Sequence, residues 1–360
     1  MKPYEHGGNV YDAGVYNPQV RDFSANINPL GLSDKIEKAI TDNMKNLVHY
    51  PDPSGLQLKQ VISVNYGIKT ENVILGNGAV ELMYIYFHST MPRRVLIPVP
   101  SFSEYERAAR AAKCQVEYMY LNKDCGFAVD VEKLTELLPD VDVVILGNPN
   151  NPTGNLLNIE RVIQLLKAAA RNNTTIIMDE SFMDFRSDAQ LYSVMDMVNE
   201  YDNLFVISSM TKFYAIPGLR LGFGVANREL IHLLELGKDP WNVNLLAQVA
   251  GVAALQDEGY RIKTRQQVRE CINKMYESLM QLSDLIVYEP SVNFILVSVE
   301  KTGLTSTTFV AKMKDKGFWV RDCSNYPGMD EFHVRFAVRL EGENSALLQA
   351  VRAVLQENRG

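Results

Sequence analysis

One lysine, Lys212, stands in the stretch SSMTKFYAIPGLRLG (208–222) among hydroxylic, aromatic and aliphatic residues. Arg220 follows eight positions later, again in an apolar setting. A solvated loop would carry more charge and fewer aromatics, and a buried stretch should carry no charge without partners. An amine kept from water has a lowered pKa, and a neutral amine can attack an aldehyde or carry a proton. An arginine in such a place suits phosphate or carboxylate. Three more features follow apolar, strand-like runs in the same way. GNGAVE (76–81) follows ENVIL and opens a helix, where Gly78 and Ala79 would let backbone N–H groups meet an anion. NPNNPTG (148–154) follows VDVVILG, and its prolines fix the backbone that aims Asn151. DES (179–181) leaves the Asp179 carboxylate at the end of an apolar strand, where it needs a cation. Taken singly, each has a plain alternative: a turn into a helix, a loop of turn formers, a capping aspartate, a surface lysine whose stem packs while its amine reaches water.

The elements that position these residues alternate along the middle of the chain. RVLIPV (94–99), CQVEYMYL (114–121), VDVVILG (141–147), TTIIMDE (174–180) and NLFVISS (203–209) read as strands. Helical patterns lie between several of them: 103–113 opened by Ser103, 131–138, and 158–172. Continuous Val/Ile/Leu runs between helices indicate a mostly parallel sheet covered on both faces. Such sheets place their sites beyond the carboxyl ends of the strands, which is where all four features fall. The last third differs: a long helix at about 259–283, strands at 293–299, 318–323 and 331–339, and helices at 305–317 and 343–357. The expected organisation is an N-terminal arm and helix over 1–50, a large α/β domain over 51–258, and a linking helix with a small α+β domain over 259–360. Within the arm, residues 33–46 read as a helix capped by Ser33.

Composition narrows the function further. The 360 residues are 46% hydrophobic and 22% charged, with a net charge of −7. The chain has no basic run, which speaks against nucleic acid as a partner. Its longest apolar runs are strand-length, too short for a membrane span. The N-terminus lacks the apolar core of a signal peptide, so a cytoplasmic location is expected. Four cysteines and five histidines are scattered without metal-ligand spacing, so no metal site is expected.

A phosphate seat, a strand-end aspartate, an aimed asparagine and a desolvated lysine together match what pyridoxal 5'-phosphate requires. Over nearly its whole length the sequence resembles the fold-type I pyridoxal-phosphate enzymes, the class I and II aminotransferases. The motif is NPTG, then Asp179, then SxxK, then arginine eight residues on; Asn151, Asp179, Ser209, Lys212 and Arg220 meet it. The resemblance implies an aspartate-aminotransferase-like fold: a large domain on a seven-stranded, mostly parallel sheet, and a small C-terminal domain. It assigns Lys212 as the residue that carries the cofactor and Asp179 as partner of its pyridine nitrogen. It puts Asn151 on the ring hydroxyl and Phe102 of PSF on the ring face. Gly78, Ala79, Ser209, Thr211 and Arg220 hold the phosphate. Tyr50, in HYPDP, matches a tyrosine that reaches the partner subunit's cofactor, which implies a homodimer. One departure stands out: Phe182 replaces the tyrosine usual in histidinol-phosphate aminotransferases, and removes a hydroxyl from the ring oxygen.

Within the family, HGGN (6–9), DFSANINPLG (22–31) and CSNYPG (323–328) resemble the branch of L-threonine-O-3-phosphate decarboxylases of cobalamin biosynthesis. That resemblance implies a small phosphorylated amino acid as substrate, held by His6, Asn26, Asn151, Arg321, Arg335 and Arg339. Arg335 and Arg339, four apart in RFAVR, are expected on one strand face. Surface ion pairs are the plain alternative for these arginines, since HVRFAVR alternates polar and apolar residues. An N-terminal histidine without a role is the alternative for His6. Two other functions compete: an aminotransferase of the histidinol-phosphate type, and a cofactor-binding regulator without turnover. The second usually carries a DNA-binding arm, and no basic helix-turn-helix precedes GNGAVE. A C-terminal metal-binding extension is likewise not expected after QENRG.

Overall fold

The computed structural model describes residues 6–12, 15–16 and 20–358. Seven strands form the larger sheet, in the order Val73–Gly76, Gly222–Val225, Leu204–Ser209, Thr175–Asp179, Val143–Gly147, Arg94–Val99, Gln115–Tyr120. Gly222–Val225 alone runs antiparallel to its neighbours. The central strands are buried on both faces, which is why their sequences are unbroken apolar runs rather than alternating ones. Helix Ile159–Arg171 shows the matching helical pattern. Asn158 caps it by accepting from the Arg161 amide, and Val162, Leu165, Leu166 and Ala169 form the buried stripe. Burial of one such leucine is worth roughly 1.5–3 kcal/mol.

Register brings the strand ends together. Gly222, the first residue of the antiparallel strand, pairs with Gly76 and with Ser209, and Gly147 pairs with Asp179. A Cβ on Gly222 would lie 2.4 Å from the Ala79 nitrogen, so only glycine lets this strand meet the start of helix Ala79–Thr90.

Five strands form the second sheet, in the order Ile286–Val287, Phe294–Ser298, His333–Ala337, Phe318–Asp322, Arg21–Phe23. Its edge comes from the N-terminal arm: Arg21–Phe23 runs parallel to Phe318–Val320. The arm then crosses to the larger sheet, where the Asn28 amide donates to the Lys212 carbonyl at 2.9 Å. Helix Asp34–Asn43, shorter than the 33–46 expectation, starts at Ser33, whose hydroxyl accepts from Ile36. Ser103 does precede the helix Glu104–Ala111, but its side chain makes no capping bond. Among the described residues no helix is long and apolar enough to cross a membrane, and no group of three potential ligands could hold a metal ion.

Candidate active site

A cleft of about 630 Å³ opens where the strand ends of the larger sheet face the arm and the second sheet. Lys212 lies in it, on the short helix Met210–Phe213 that follows strand Leu204–Ser209. Its Nζ donates to the Ser209 hydroxyl at 3.3 Å. Ser209 and Thr211 share a hydroxyl–hydroxyl bond of 2.7 Å. Burial pushes the Lys212 amine down to about 8; Asp179 opposes that shift, and Arg220 and Arg335 add to it. Below that value the buried charge counts fully against the fold. Lys212 titrates near 10.5 when unfolded and near 8 when folded. The unfolded chain therefore binds more protons across that window, and stability rises with pH through it. In the ligand-free protein, Lys212→Met is expected to be the more stable form at pH 7. Its advantage should shrink by about 2 kcal/mol by pH 10. Denaturant titrations of both proteins check this, and an advantage independent of pH contradicts it.

Asp179 is 7% exposed and held from two sides. Its Oδ1 accepts from the Ser181 amide at 2.9 Å, and its Oδ2 from the Tyr105 hydroxyl at 2.7 Å. Tyr105 is buried on helix Glu104–Ala111. Burial first, then the Asp179 charge, push its hydroxyl pKa well above the usual tyrosine range, so it stays a proton donor. The sequence reading missed Tyr105. Its signal was the second aromatic of PSFSEY, three residues past Phe102 and on the same side of a helical turn.

The anion seat is built from glycine, hydroxyls and one guanidinium. Gly78 has φ 87° and precedes helix Ala79–Thr90 without any side-chain cap, so the first amides of that helix lack an intrahelical partner. A Cβ on Gly78 would meet Arg220 Nη2 at 2.4 Å. The Arg220 side chain donates to the Pro217 carbonyl at 3.3 Å and lines the cleft with Thr211, Phe102, Asn151 and Phe182. The Phe182 ring is buried and edge-on to Phe294 at 5.1 Å.

The second sheet contributes Arg335 to the cleft lining; Arg321 on the neighbouring strand is also buried but is not itself among the lining residues. They stand directly opposite each other in the antiparallel pair. Arg335 donates to Asn151 Oδ1 and, at 2.7 Å, to the Ser24 carbonyl, while its Nε has no partner. Arg321 donates to Asn325 Oδ1 at 2.8 Å and lies 5.1 Å from the Tyr326 ring centre. The plain alternative of an exposed, ion-paired strand face fails here, because His333–Ala337 is covered along its whole length. Arg339 departs from expectation. The strand ends at Ala337, so spacing within a strand no longer applies, and the Arg339 guanidinium pairs with Glu343 at 3.3 Å outside the cleft lining.

Asn26 is buried at the cleft, and its Oδ1 is unpartnered. His6 lies at the mouth, bonded to Glu104 at 2.8 Å. Tyr50 is 78% exposed and stacked on Trp241 at 4.6 Å, away from the cleft. Asn28, from the DFSANINPLG stretch, donates to the Phe213 carbonyl at 2.7 Å and to Thr264 at 3.0 Å. It ties the arm, the Lys212 helix and the long helix Glu258–Met280 together.

The family model described as aminotransferase class I and II matches residues 18–354. The chain belongs to this family. It is 34% identical to the threonine-phosphate decarboxylase of Salmonella typhimurium, over 97% of this chain and 96% of that one. It is 40% identical to a protein of Caldanaerobacter subterraneus subsp. tengcongensis, provisionally described as a threonine-phosphate decarboxylase, over 99% and 95% of the two chains. Among solved structures, the histidinol-phosphate aminotransferase of Clostridium acetobutylicum superposes with a TM-score of 0.89 at 33% identity, covering 94% of this chain and all of that one.

Proposed function

We propose that the protein is a pyridoxal-phosphate-dependent carboxy-lyase that converts L-threonine O-3-phosphate to (R)-1-amino-2-propanol O-2-phosphate and carbon dioxide, in cobalamin biosynthesis. The observation that carries the substrate class is the cross-strand pair Arg321 and Arg335. Like charges directly opposite on a sheet repel, and neither guanidinium has a carboxylate partner in the bonds it makes. A ligand with two anionic groups, a carboxylate and a phosphate, resolves that repulsion. The similarity to threonine-phosphate decarboxylases over nearly the full chain supports the reaction.

The residues present fit the cofactor. Arg220, the uncapped helix start at Gly78 and the Ser209–Thr211 hydroxyls suit its phosphate. Asp179 and Asn151 suit the ring nitrogen and hydroxyl, Phe102 the ring face, and Lys212 the aldehyde. When bound, the cofactor draws electrons from the substrate Cα so that a bond there can break. Asp179, fixed by two donors, supplies the lasting negative charge for that work. Arg335, with Asn26 and Asn151 beside it, orients the substrate and thereby selects which bond at Cα breaks. Lys212, whose ammonium form still holds a proton at neutral pH because it titrates near 8, would give that proton to Cα after carbon dioxide leaves and be left as the neutral amine. Phe182 and the surrounding apolar side chains keep water out. Gly78→Ala is expected to weaken cofactor binding at least about tenfold, since the new methyl displaces Arg220 and strains a positive φ. Titration of the ligand-free protein with pyridoxal 5'-phosphate measures this, and unchanged affinity refutes the seat.

The same cleft could serve a histidinol-phosphate-type aminotransferase, a reading favoured by the solved structure described above. Given L-threonine O-3-phosphate and no 2-oxo acid, the protein is expected to release carbon dioxide mole for mole with substrate lost. Amino transfer to 2-oxoglutarate without carbon dioxide release establishes the alternative. We also read the functional unit as a cytoplasmic homodimer in which the exposed Tyr50 serves the partner's site. Mixing Tyr50→Ala and Lys212→Ala subunits is then expected to restore part of the activity that each lacks alone.

A further inference from the structure

We propose that Tyr105 is a positioning residue that sets the orientation and charge of the Asp179 carboxylate toward the cofactor. The inference rests on the cofactor reading above. Three observations converge on it. First, the Tyr105 hydroxyl and Asp179 Oδ2 are 2.7 Å apart in a buried setting, with donor and acceptor fixed by chemistry. A bond from a hydroxyl to a carboxylate is among the stronger kinds, more so away from water. Second, the fold makes room for that hydroxyl. The register partner of Asp179 on the neighbouring strand is Gly147, and a Cβ there would stand 3.0 Å from Tyr105 Oη. The hydroxyl enters over the strand where a side chain is missing. Third, Tyr105 also packs edge-on against Phe102, with ring centres 5.7 Å apart. Phe102, just before the helix Glu104–Ala111, and the donor to Asp179 on its first turn are therefore held against each other.

The Ser181 amide holds Oδ1 and Tyr105 holds Oδ2. Without Tyr105 the carboxylate keeps one donor and can rotate. Its charge is also less neutralised, so it raises the proton affinity of whatever cationic group it faces. The charged groups around Lys212 are Asp179, Arg220 and Arg335, and the change alters only the first of them.

Tyr105→Phe keeps the ring and removes the bond. The ligand-free variant is expected to bind pyridoxal 5'-phosphate about tenfold more weakly than the parent. The pH midpoint of the bound cofactor's visible absorption should move upward, and kcat should fall with little change in KM. In Asp179→Asn protein, where only a neutral bond remains to be lost, the same change should weaken binding by less than about threefold. Unchanged affinity and midpoint in Tyr105→Phe overturn the proposal. So does an equal loss in both backgrounds, which would mark a packing role only. If Asp179→Asn retains no cofactor, the midpoint in the Asp179 background decides: an upward shift supports the proposal and a fixed midpoint refutes it. Gly147→Ala, which crowds the hydroxyl without deleting it, should reproduce the midpoint shift. If the parent itself binds no pyridoxal phosphate through Lys212, the cofactor reading has failed rather than this inference.

Discussion

Lys212→Ala is expected to lower kcat on L-threonine O-3-phosphate by about a thousandfold or more. The substitution removes the amine that anchors the cofactor and the group that returns a proton to Cα. It does not remove the phosphate seat, because the Ser209 hydroxyl remains bonded to Thr211 and Arg220 still lies over Gly78. Cofactor should therefore bind noncovalently, without the absorption that depends on the lysine. The fold should not suffer, because a buried amine depressed to about 8 opposes folding at neutral pH. A small exogenous amine should restore a fraction of the rate, with a rise toward alkaline pH set by that amine's own pKa. Steady-state kinetics and absorption spectra test the set together. Activity within tenfold of the parent, or an unchanged absorption band, contradicts the role given to this residue.

Arg335→Gln is expected to raise KM for the phosphorylated substrate by about a hundredfold or more. Three losses combine. The substrate loses a guanidinium aimed into the cleft. Asn151 Oδ1 and the Ser24 carbonyl lose the donor that tethers the larger sheet and the arm to the second sheet. Arg321 loses the neighbour whose charge helps it attract an anion. The phosphate seat of Gly78, Ser209, Thr211 and Arg220 does not include Arg335, so affinity for pyridoxal phosphate should fall far less than affinity for the substrate. That split separates a substrate-binding role from a general collapse of the site. Loss of cofactor binding in step with substrate binding would contradict it.

Much of the large sheet is legible in the sequence because parallel strands buried on both faces leave unbroken apolar runs, and capped amphipathic helices lie between them. The four strand-end features are legible for the same reason: each interrupts such a run with residues that a core does not use. Gly222–Val225 escaped notice. Its sequence, GFGV, carries too few branched residues to read as a strand. Its glycines answer to neighbours instead: Gly222 to the Ala79 backbone and Gly224 to the Phe205 ring, 2.6 Å from where a Cβ would sit. The Arg21–Phe23 strand escaped notice too, since its partner lies some 300 residues away and three residues carry no pattern. Tyr105 reads as core packing until Gly147 and Asp179 are placed beside it. Arg339 shows the opposite error, where a period of two was extended past the last paired residue, Ala337. Local patterns reveal elements and the residues that break them. Contacts made across distant strands determine which of those residues meet.

The most direct measurement follows the substrate's own atoms. Run the reaction on L-threonine O-3-phosphate in deuterated water, with 2-oxoglutarate present, and identify the products by NMR and mass spectrometry. The account predicts (R)-1-amino-2-propanol O-2-phosphate that keeps its nitrogen and carries one solvent deuteron at the former Cα, with one carbon dioxide per product and no glutamate. A 2-oxo acid that retains the carboxylate, formed together with glutamate, would contradict it.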